Sequence, residues 1–359
     1  MFLEKIVNVP NKITEDVKYL KELELPLVLY GSAALADHVQ KLLLKNEIKL
    51  DHVVVDKNYY IPNSFFHTSP IENEEDVLNI YPKVNVIIGF GNYQNKMAEL
   101  SRNASVERCI FFEPGALQFD FGDYYSTVKK HASDFEKFYS QLADDHSRDV
   151  MVAFINAKIS GNLEKLVDLN IDNDEQYFPE FIHLSNDEVF VDCGAYDGDT
   201  ALIFNKMGEG KIYALECDKL NLEKLKQNTR HLKNIEIIEK GCFSRKDVLY
   251  FKDGAGEAST VSNQGNVKIE VDALDNMISE RVTYLKMDIE GAELEALKGA
   301  QNIIRSYRPR LAISVYHRYD DLLAIPQFIT ELNKSYKFYL RHYGYFCTEV
   351  VLYAIPENI

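Results

Sequence analysis

Two stretches of the chain place carboxylates where a strand would turn into a helix. The first is VFVDCGAYDGDT, residues 189–200. An apolar run ends in Asp192, Gly194 allows a tight backbone turn, Gly198 permits close approach, and Asp199-Thr200 bring N-cap chemistry to a following helix. The second is YLKMDIEGAELEALKGA, residues 284–300, in which Leu285, Met287 and Ile289 alternate with Lys286, Asp288 and Glu290. Gly291 follows, then helical spacing through Leu294, Leu297 and Ile304. A strand feeding a helix implies a parallel sheet, whose strands are normally buried on both faces and read as unbroken apolar runs. Three charges on one face of such a strand call for a chemical reason.

Ligands of open α/β sheets lie at the carboxyl ends of the strands, and the acids there select the ligand's charge. A dinucleotide pyrophosphate at the helix N-terminus would be repelled by Asp192, Asp197 and Asp199. S-adenosylmethionine presents an ammonium and a sulfonium, which carboxylates can hold. The turn residues Gly194, Ala195, Tyr196, Asp197, Gly198 and Thr200 are therefore expected to line its site, together with Asp192 and Asp288. The next strand, KIYALEC, ends in Glu216, 24 residues after Asp192, where an acid can accept both ribose hydroxyls. At the end of the third strand Cys242 and Phe243 are expected beside the adenine. Cys193, Cys217 and Cys242 fall at three strand ends that would meet in space; with no base or C-x-x-C partner they read as small buried fillers.

These positions require a particular order of elements. The first third alternates strand and helix in PLVLYGSAALADHVQKLLLKN, LDHVVVDKN, VNVIIGFGN and RCIFFEPGA, which predicts a parallel Rossmann-like sheet over residues 1–123. Residues 124–185 show helical spacing with few strand formers and are expected to form a helical connector packed between two sheets. From residue 186 to 359 strands are expected at EVFVDCGA, KIYALEC, IEIIEKGC, TYLKMDIE and RPRLAISVYH, with helices between most of them. The chain then closes with YKFYLRHYG and TEVVLYAIP, a hairpin that adds antiparallel strands to the sheet. The expected fold is thus α/β: a doubly wound class I methyltransferase sheet with a C-terminal antiparallel hairpin, preceded by a smaller Rossmann-like domain.

VFVDCGAYDGDT, YALECDKLNLEKLKQN, YLKMDIEGAELEALKGA and RPRLAISVYHRYDDLLAIP together resemble the successive motifs of the FkbM-type, S-adenosylmethionine-dependent methyltransferases. The resemblance covers roughly residues 186–356 and includes the family's K-x-D-x-E-G-x-E signature. It implies O-methylation of a sugar, glycan precursor or related metabolite. The sequence departs from many relatives at Tyr196 and at SVYH, both of which concern acceptor contacts rather than fold. An alcohol acceptor must lose its proton, so a base is needed within hydrogen-bond reach. Asp288, at the end of the fourth strand, and His317, at the end of the fifth, are both eligible, and the sequence does not choose between them. Glu290 joins them as a catalytic candidate; alternatively Glu290 and Glu293 complement the helix N-terminus, worth roughly 0.3–1 kcal/mol each, with Lys286 as a charge partner. Asp288, Glu290 and Asp272 could ligate a divalent metal, but no ligand spacing demands one and none is expected. GEASTVSNQG, residues 256–265, reads as a surface loop or a lid.

Bulk properties narrow the partners. The 359 residues are 46% hydrophobic and 27% charged, enough for two cores, and 56 acidic against 40 basic side chains give a net charge of -16 that repels phosphate backbones. No nucleic acid and no membrane insertion are expected, and five scattered cysteines without metal spacing suit a cytoplasmic setting. The N-terminal turn YGSAALADHV imitates a dinucleotide fingerprint through Gly31, Ala33 and Ala36, with Asp56 in the ribose position and GFGN at 89–92 as a second turn. An NAD-dependent nucleotide-sugar oxidoreductase is accordingly one rival reading, and a catalytically inactive nucleotide-binding scaffold another. Otherwise that domain would shape the acceptor site or a homo-oligomer contact.

Overall fold

The computed structural model describes the chain apart from residues 1, 23, 119–122, 172–175, 186, 209, 252–266 and 358–359, so the GEASTVSNQG segment lies outside the described residues. The chain divides into two compact units, one formed by Val7–Tyr125 with Asn156–Asn162, the other by Met1–Ile6, Ser126–Ile155 and Leu163–Ile359.

The smaller unit contains β1 (Leu27–Tyr30), β2 (His52–Val55), β3 (Phe65–Phe66), β4 (Ser69–Asn73), β5 (Val84–Ile88) and β6 (Val106–Phe111), ordered β3-β4-β2-β1-β5-β6. The four strands expected from sequence are β1, β2, β5 and β6, and they pair in parallel. The central strands β1 and β5 are buried at every position, which is why LVLY and VNVII read as continuous runs. The helix Ala34–Lys45 lays Ala36, Val39 and Leu43 into this core, one stripe of a 3.6-residue repeat. The small antiparallel pair β3–β4 has no counterpart in the sequence reading. Two and five residues, the second strand carrying Pro70, are too short to show a periodicity.

In the larger unit the main sheet is built from β7 (Val189–Cys193), β8 (Lys211–Leu215), β9 (Ile235–Ile238), β13 (Tyr284–Met287), β14 (Arg310–Ser314), β15 (Tyr336–His342) and β16 (Val350–Pro356). Their order is β15-β16-β14-β13-β7-β8-β9. Five strands run parallel, and the final hairpin inserts β16 antiparallel beside β14. This is the doubly wound class I arrangement with its closing hairpin. Because the chain winds outward from β7 to β9 and then returns to β13, the crevice opens between β7 and β13. Phe190 anchors the core beneath it, stacked on Phe204 at 4.7 Å between centroids and tilted against Tyr284 at 5.3 Å.

Two strands differ from the sequence reading. IEIIEKGC is not one strand: β9 ends at Ile238, and Gly241–Cys242 (β10) joins Asp247–Phe251 (β11) and Val267–Asp272 (β12) in a separate three-stranded sheet. Likewise β13 stops at Met287, so Asp288 and Glu290 stand on the loop beyond the strand rather than on its face. The alternation that continues through Ile289 is therefore coincidental.

In the larger unit the first turn of the helix Asp145–Ser160 is tied to the hairpin by charge. Asp144, just before the helix, accepts from the Ser147 backbone N–H at 2.7 Å in the N-cap pattern, and its other oxygen accepts from Arg341 of β15 at 2.7 Å. Partial burial works to raise the Asp144 pKa, but Arg341 and Ser147 prevail and bring it down to about 2. A depressed carboxyl contributes stability above its unfolded pKa, near 3.8, and loses it as pH falls through the folded value. Asp144→Asn is expected to lower stability by about 1–3 kcal/mol at neutral pH. Urea denaturation across pH 2–4 should also show a shallower acid loss in the variant; identical pH profiles would refute this role.

Candidate active site

At the switch point β7 and β13 are held together by a buried ion pair. The register sets Lys286 opposite Asp192, and their side chains meet at 2.9 Å with exposures of 4% and 0%. Lys286 also donates to the Gly194 carbonyl at 2.7 Å and lies 5.0 Å from the centre of the Tyr177 ring. Burial alone would depress the lysine pKa, yet Asp192 and Asp288 raise it above the usual range, so Lys286 is charged. The lysine's contact partner is thus Asp192, not Glu290 or Glu293 as the sequence suggested. Asp192 is correspondingly a structural anchor under the turn, its carboxylate facing the lysine.

The turn above follows from backbone space. Gly194 has φ +80, and a Cβ there would stand 1.9 Å from the Asp288 carbonyl oxygen, so only glycine lets the two strand ends pass. Gly198 is the N-cap of the helix Asp199–Met207, at φ +91 and without a side-chain cap; Asp199 and Thr200 come after the cap rather than forming it. A Cβ on Gly198 would meet Thr229 and Leu225 at 2.8 and 2.9 Å, so its close approach is to a neighbouring helix. Ala195 is buried, and Tyr196 is exposed at φ +48 with Lys224 5.5 Å from its ring centre. Asp197 keeps its carboxylate half-exposed while its carbonyl accepts from Asn228.

Glu216 stands buried at the end of β8 and accepts three backbone N–H groups, from Tyr196 at 2.9 Å and from Cys217 and Asp218 at 2.7 Å. A carboxylate offers about four lone-pair positions, so roughly one remains for a hydroxyl. Cys193, Cys217 and Cys242 do come together. The Cys193 thiol and burial hold Cys242 far above the ordinary thiol range, and burial with Glu216 pushes Cys217 up to about 12. Such thiols are inert fillers. Phe243 is half-buried, its N–H donating to the Asp272 carbonyl. The Asp272 carboxylate serves Lys240, Asn276 and the Ala273 N–H, so it does not join Asp288 and Glu290.

Beyond β13 and β14 lies a dense polar cluster. Asp288 accepts from Tyr177 Oη at 2.7 Å and Tyr316 Oη at 3.3 Å. His317, its side chain 1% exposed, places Nε2 3.5 Å from Asp288 Oδ1 and 3.7 Å from Glu290 Oε2, with Nδ1 3.0 Å from Glu293 Oε1. Glu293 is fully buried and is itself fixed by the Ile289 N–H at 2.9 Å. Burial would lower the His317 pKa, but Glu293, Asp288 and Glu290 bring it up to about 10. Asp288 stays below the usual carboxylate range despite burial, because His317, Lys286 and Tyr177 favour its charge.

Sequence reasoning missed Gln176, Tyr177, Tyr316 and Glu349. Gln176 donates to Glu349 at 2.6 Å, and Tyr316 Oη reaches both Asp288 and, at 3.5 Å, Glu349. Burial and the Asp288 charge raise the Glu349 pKa to about 7. Of the eight non-glycine residues at positive φ among those described, Tyr177, Tyr196, Glu290 and Glu349 all belong to this region. Left-handed backbone at such residues is strained by about 1–3 kcal/mol each and gathers at functional sites. The available signal was a Glu in the turn of the last hairpin, too common by itself to single out.

The smaller unit offers less. Asp56 is paired to Lys96 at 2.9 Å, and Lys96 is also held by Glu74 and Glu99. Gly31 backs onto Phe90 and Gly89, and Gly89 onto Ala36, so these glycines serve packing between β1, β5 and a helix.

The sequence of residues 192–346 matches the family model of the methyltransferase FkbM domain. This region is an FkbM-type methyltransferase domain. Methyltransferase FkbM from Methylobacillus flagellatus KT shares the fold along nearly the whole chain, with a TM-score of 0.78 at 22% identity, covering 96% of this chain and 94% of that one. An rRNA methylase from Streptococcus thermophilus, at 18% identity, covers 48% of this chain and 88% of its own with a TM-score of 0.33. Fibrillarin from Aeropyrum pernix, with natively bound S-adenosyl-L-methionine, is 14% identical and covers 50% and 72% with a TM-score of 0.33. No curated protein matches the sequence. The matched FkbM region holds the Asp288–His317 centre but excludes Gln176, Tyr177 and Glu349, which flank it on either side.

Removing the lysine from the FkbM domain's central ion pair leaves Asp192 buried and uncompensated. Lys286→Met is expected to lower unfolding free energy by about 3–5 kcal/mol, and Asp192→Leu with Lys286→Met to recover much of it. A urea midpoint unchanged by the single substitution would contradict the assignment.

Proposed function

We propose that this methyltransferase moves the methyl group of S-adenosylmethionine to a hydroxyl of a sugar, glycan precursor or related metabolite. The observation that carries the reading is the set of acids at the β7–β13 switch point, beside a turn too acidic for a pyrophosphate. Asp197, Glu216 and the Tyr196 turn would hold the cofactor, Glu216 through its remaining lone-pair position, with the turn raised on the Lys286–Asp192 pair. When bound, S-adenosylmethionine supplies a methyl carbon made electrophilic by its sulfonium.

The chain's own residues then position a hydroxyl and accept its proton. An imidazolium has no lone pair to receive that proton, so His317, with a pKa of about 10, serves as a fixed positive charge that keeps Asp288 ionised. Glu349, whose pKa of about 7 sits at the operating range, is the better base, oriented by Gln176 and linked to Asp288 through Tyr316. Tyr177 and Tyr316, both held protonated chiefly by burial, remain donors. No described helix is long and apolar enough to cross a membrane.

Calorimetry with S-adenosylhomocysteine should show binding that Glu216→Ala weakens at least tenfold; no heat of binding would sink the proposal. Isotopic methyl transfer to a panel of sugar nucleotides should show activity rising through pH 7 as Glu349 ionises. Glu349→Gln is expected to lower kcat by about 10²–10⁴ and to remove that limb. A variant with unchanged rate and profile would return the base role to Asp288.

A further inference from the structure

We propose that the smaller unit carries a binding site of its own, for an uncharged sugar, in a cavity at the amino edge of its sheet. The cavity measures about 470 Å³, within the roughly 300–1,000 Å³ of small-molecule sites. Pro26, Asp51 and Asn85 place it at the starts of β1, β2 and β5. This is the opposite edge from the Gly31 and Gly89 turns that the sequence offered to a nucleotide, and the methyl-transfer reading makes no use of it.

Asn85 is the observation that points to a ligand. It interrupts VNVII, a strand otherwise apolar and buried throughout, and is itself only 1% exposed. Its Oδ1 accepts from Tyr19 Oη at 3.1 Å, whereas its Nδ2 makes no hydrogen bond among the described residues. That nitrogen is not sealed in the core either. On so buried a residue, the cavity that Asn85 lines is the space the nitrogen opens to. An amide end left without a partner is unfavourable, so a polar atom belongs opposite it.

A second polar group of the lining is fixed from behind. Tyr81 Oη lies 3.0 Å from His52 Nε2, and His52 Nδ1 meets Glu72 Oε2 at 2.7 Å. This carboxylate–imidazole–phenol chain holds the tyrosine hydroxyl in place and leaves it hydrogen-bonding capacity for a ligand. Asp51 is already occupied, by the Leu27 N–H at 3.0 Å and by Lys49 at 2.6 Å. Leu20, Leu25, Pro26 and Ile48 make part of the lining apolar.

Together these groups select the ligand. A purely apolar molecule would bury the Asn85 amide unpaired. An anion such as a phosphate would meet Glu24 and Glu47, with Lys21 the one cation of the described lining outside the Lys49–Asp51 pair, on a chain of net charge -16. An ammonium has only donors and cannot accept from Asn85 Nδ2. A hydroxyl both accepts from that nitrogen and exchanges a hydrogen bond with Tyr81, and the C–H face of a sugar ring covers the apolar lining.

The test is saturation-transfer NMR on full-length protein, without cofactor, using the methyl glycosides of glucose, galactose, mannose and N-acetylglucosamine, with adenosine and inorganic phosphate as competitors. At least one glycoside should bind saturably and resist both competitors. Its affinity should fall at least tenfold in Asn85→Leu and in Ile48→Trp, the latter filling the cavity from a half-buried position, and severalfold in Tyr81→Phe, each variant checked by thermal melting. No glycoside binding at tens of millimolar, displacement by adenosine or phosphate, or binding indifferent to Ile48→Trp and Tyr81→Phe overturns the proposal. Glycoside binding lost in Glu349→Gln but kept in Ile48→Trp would belong to the larger unit and refutes it equally.

Discussion

The ion pair between Lys286 and Asp192 joins the two strands whose ends make the crevice. Burying two charges is unfavourable unless each finds its partner and its remaining hydrogen bonds. Here the lysine pairs with Asp192, donates to the Gly194 carbonyl and lies over the face of Tyr177 at once. The first fixes β13 against β7, the second pins the glycine turn, and the third draws in a residue from more than a hundred positions upstream. Misplacing the pair would move the Asp288 carbonyl, which already passes so near Gly194 that no side chain fits between them.

The groups proposed for catalysis belong to the polar cluster beyond β13 and β14, and their charges are arranged by layers. Lys286 below and His317 beside Asp288 keep that carboxylate ionised in a largely buried setting. Farther along, Glu349 has burial and a like charge working against its ionisation, so it titrates near neutrality. Two carboxyl groups reached by one Tyr316 hydroxyl thus acquire opposite pKa shifts from their surroundings alone. The left-handed residues Tyr177, Glu290 and Glu349 show the strain at which this convergence is held.

Much of this could be read in the sequence because parallel strands and their turns are locally encoded. The apolar runs VFVDC, KIYAL and YLKM, the glycine turns after the first and third of them, and the Tyr- and Val-rich final hairpin pointed to the doubly wound sheet and its antiparallel close. Asp288 and His317 were legible as strand-end residues for the same reason. Where local patterns misled, the cause was also local: alternation past Met287 and the unbroken look of IEIIEKGC disguised two strand ends. In the N-terminal turn the glycines at 31 and 89 pack closely against β1, β5 and a helix, and Asp56 is paired with Lys96.

By itself, then, the sequence determined the fold class, the position of the crevice and the acids at its rim. Those features follow from side-chain period, glycine turns and helix starts, all of which act over a few neighbouring residues. Only the tertiary structure decided that Lys286 pairs with Asp192, that Glu293 holds the His317 ring, and that Tyr177, 111 residues from Asp288, donates to it. It alone added Gln176 and Glu349, brought together across 173 residues. Charge pairing and pKa depend on burial and on distances of a few ångströms, and no local pattern of residue types specifies which distant groups the packed sheet will bring that close.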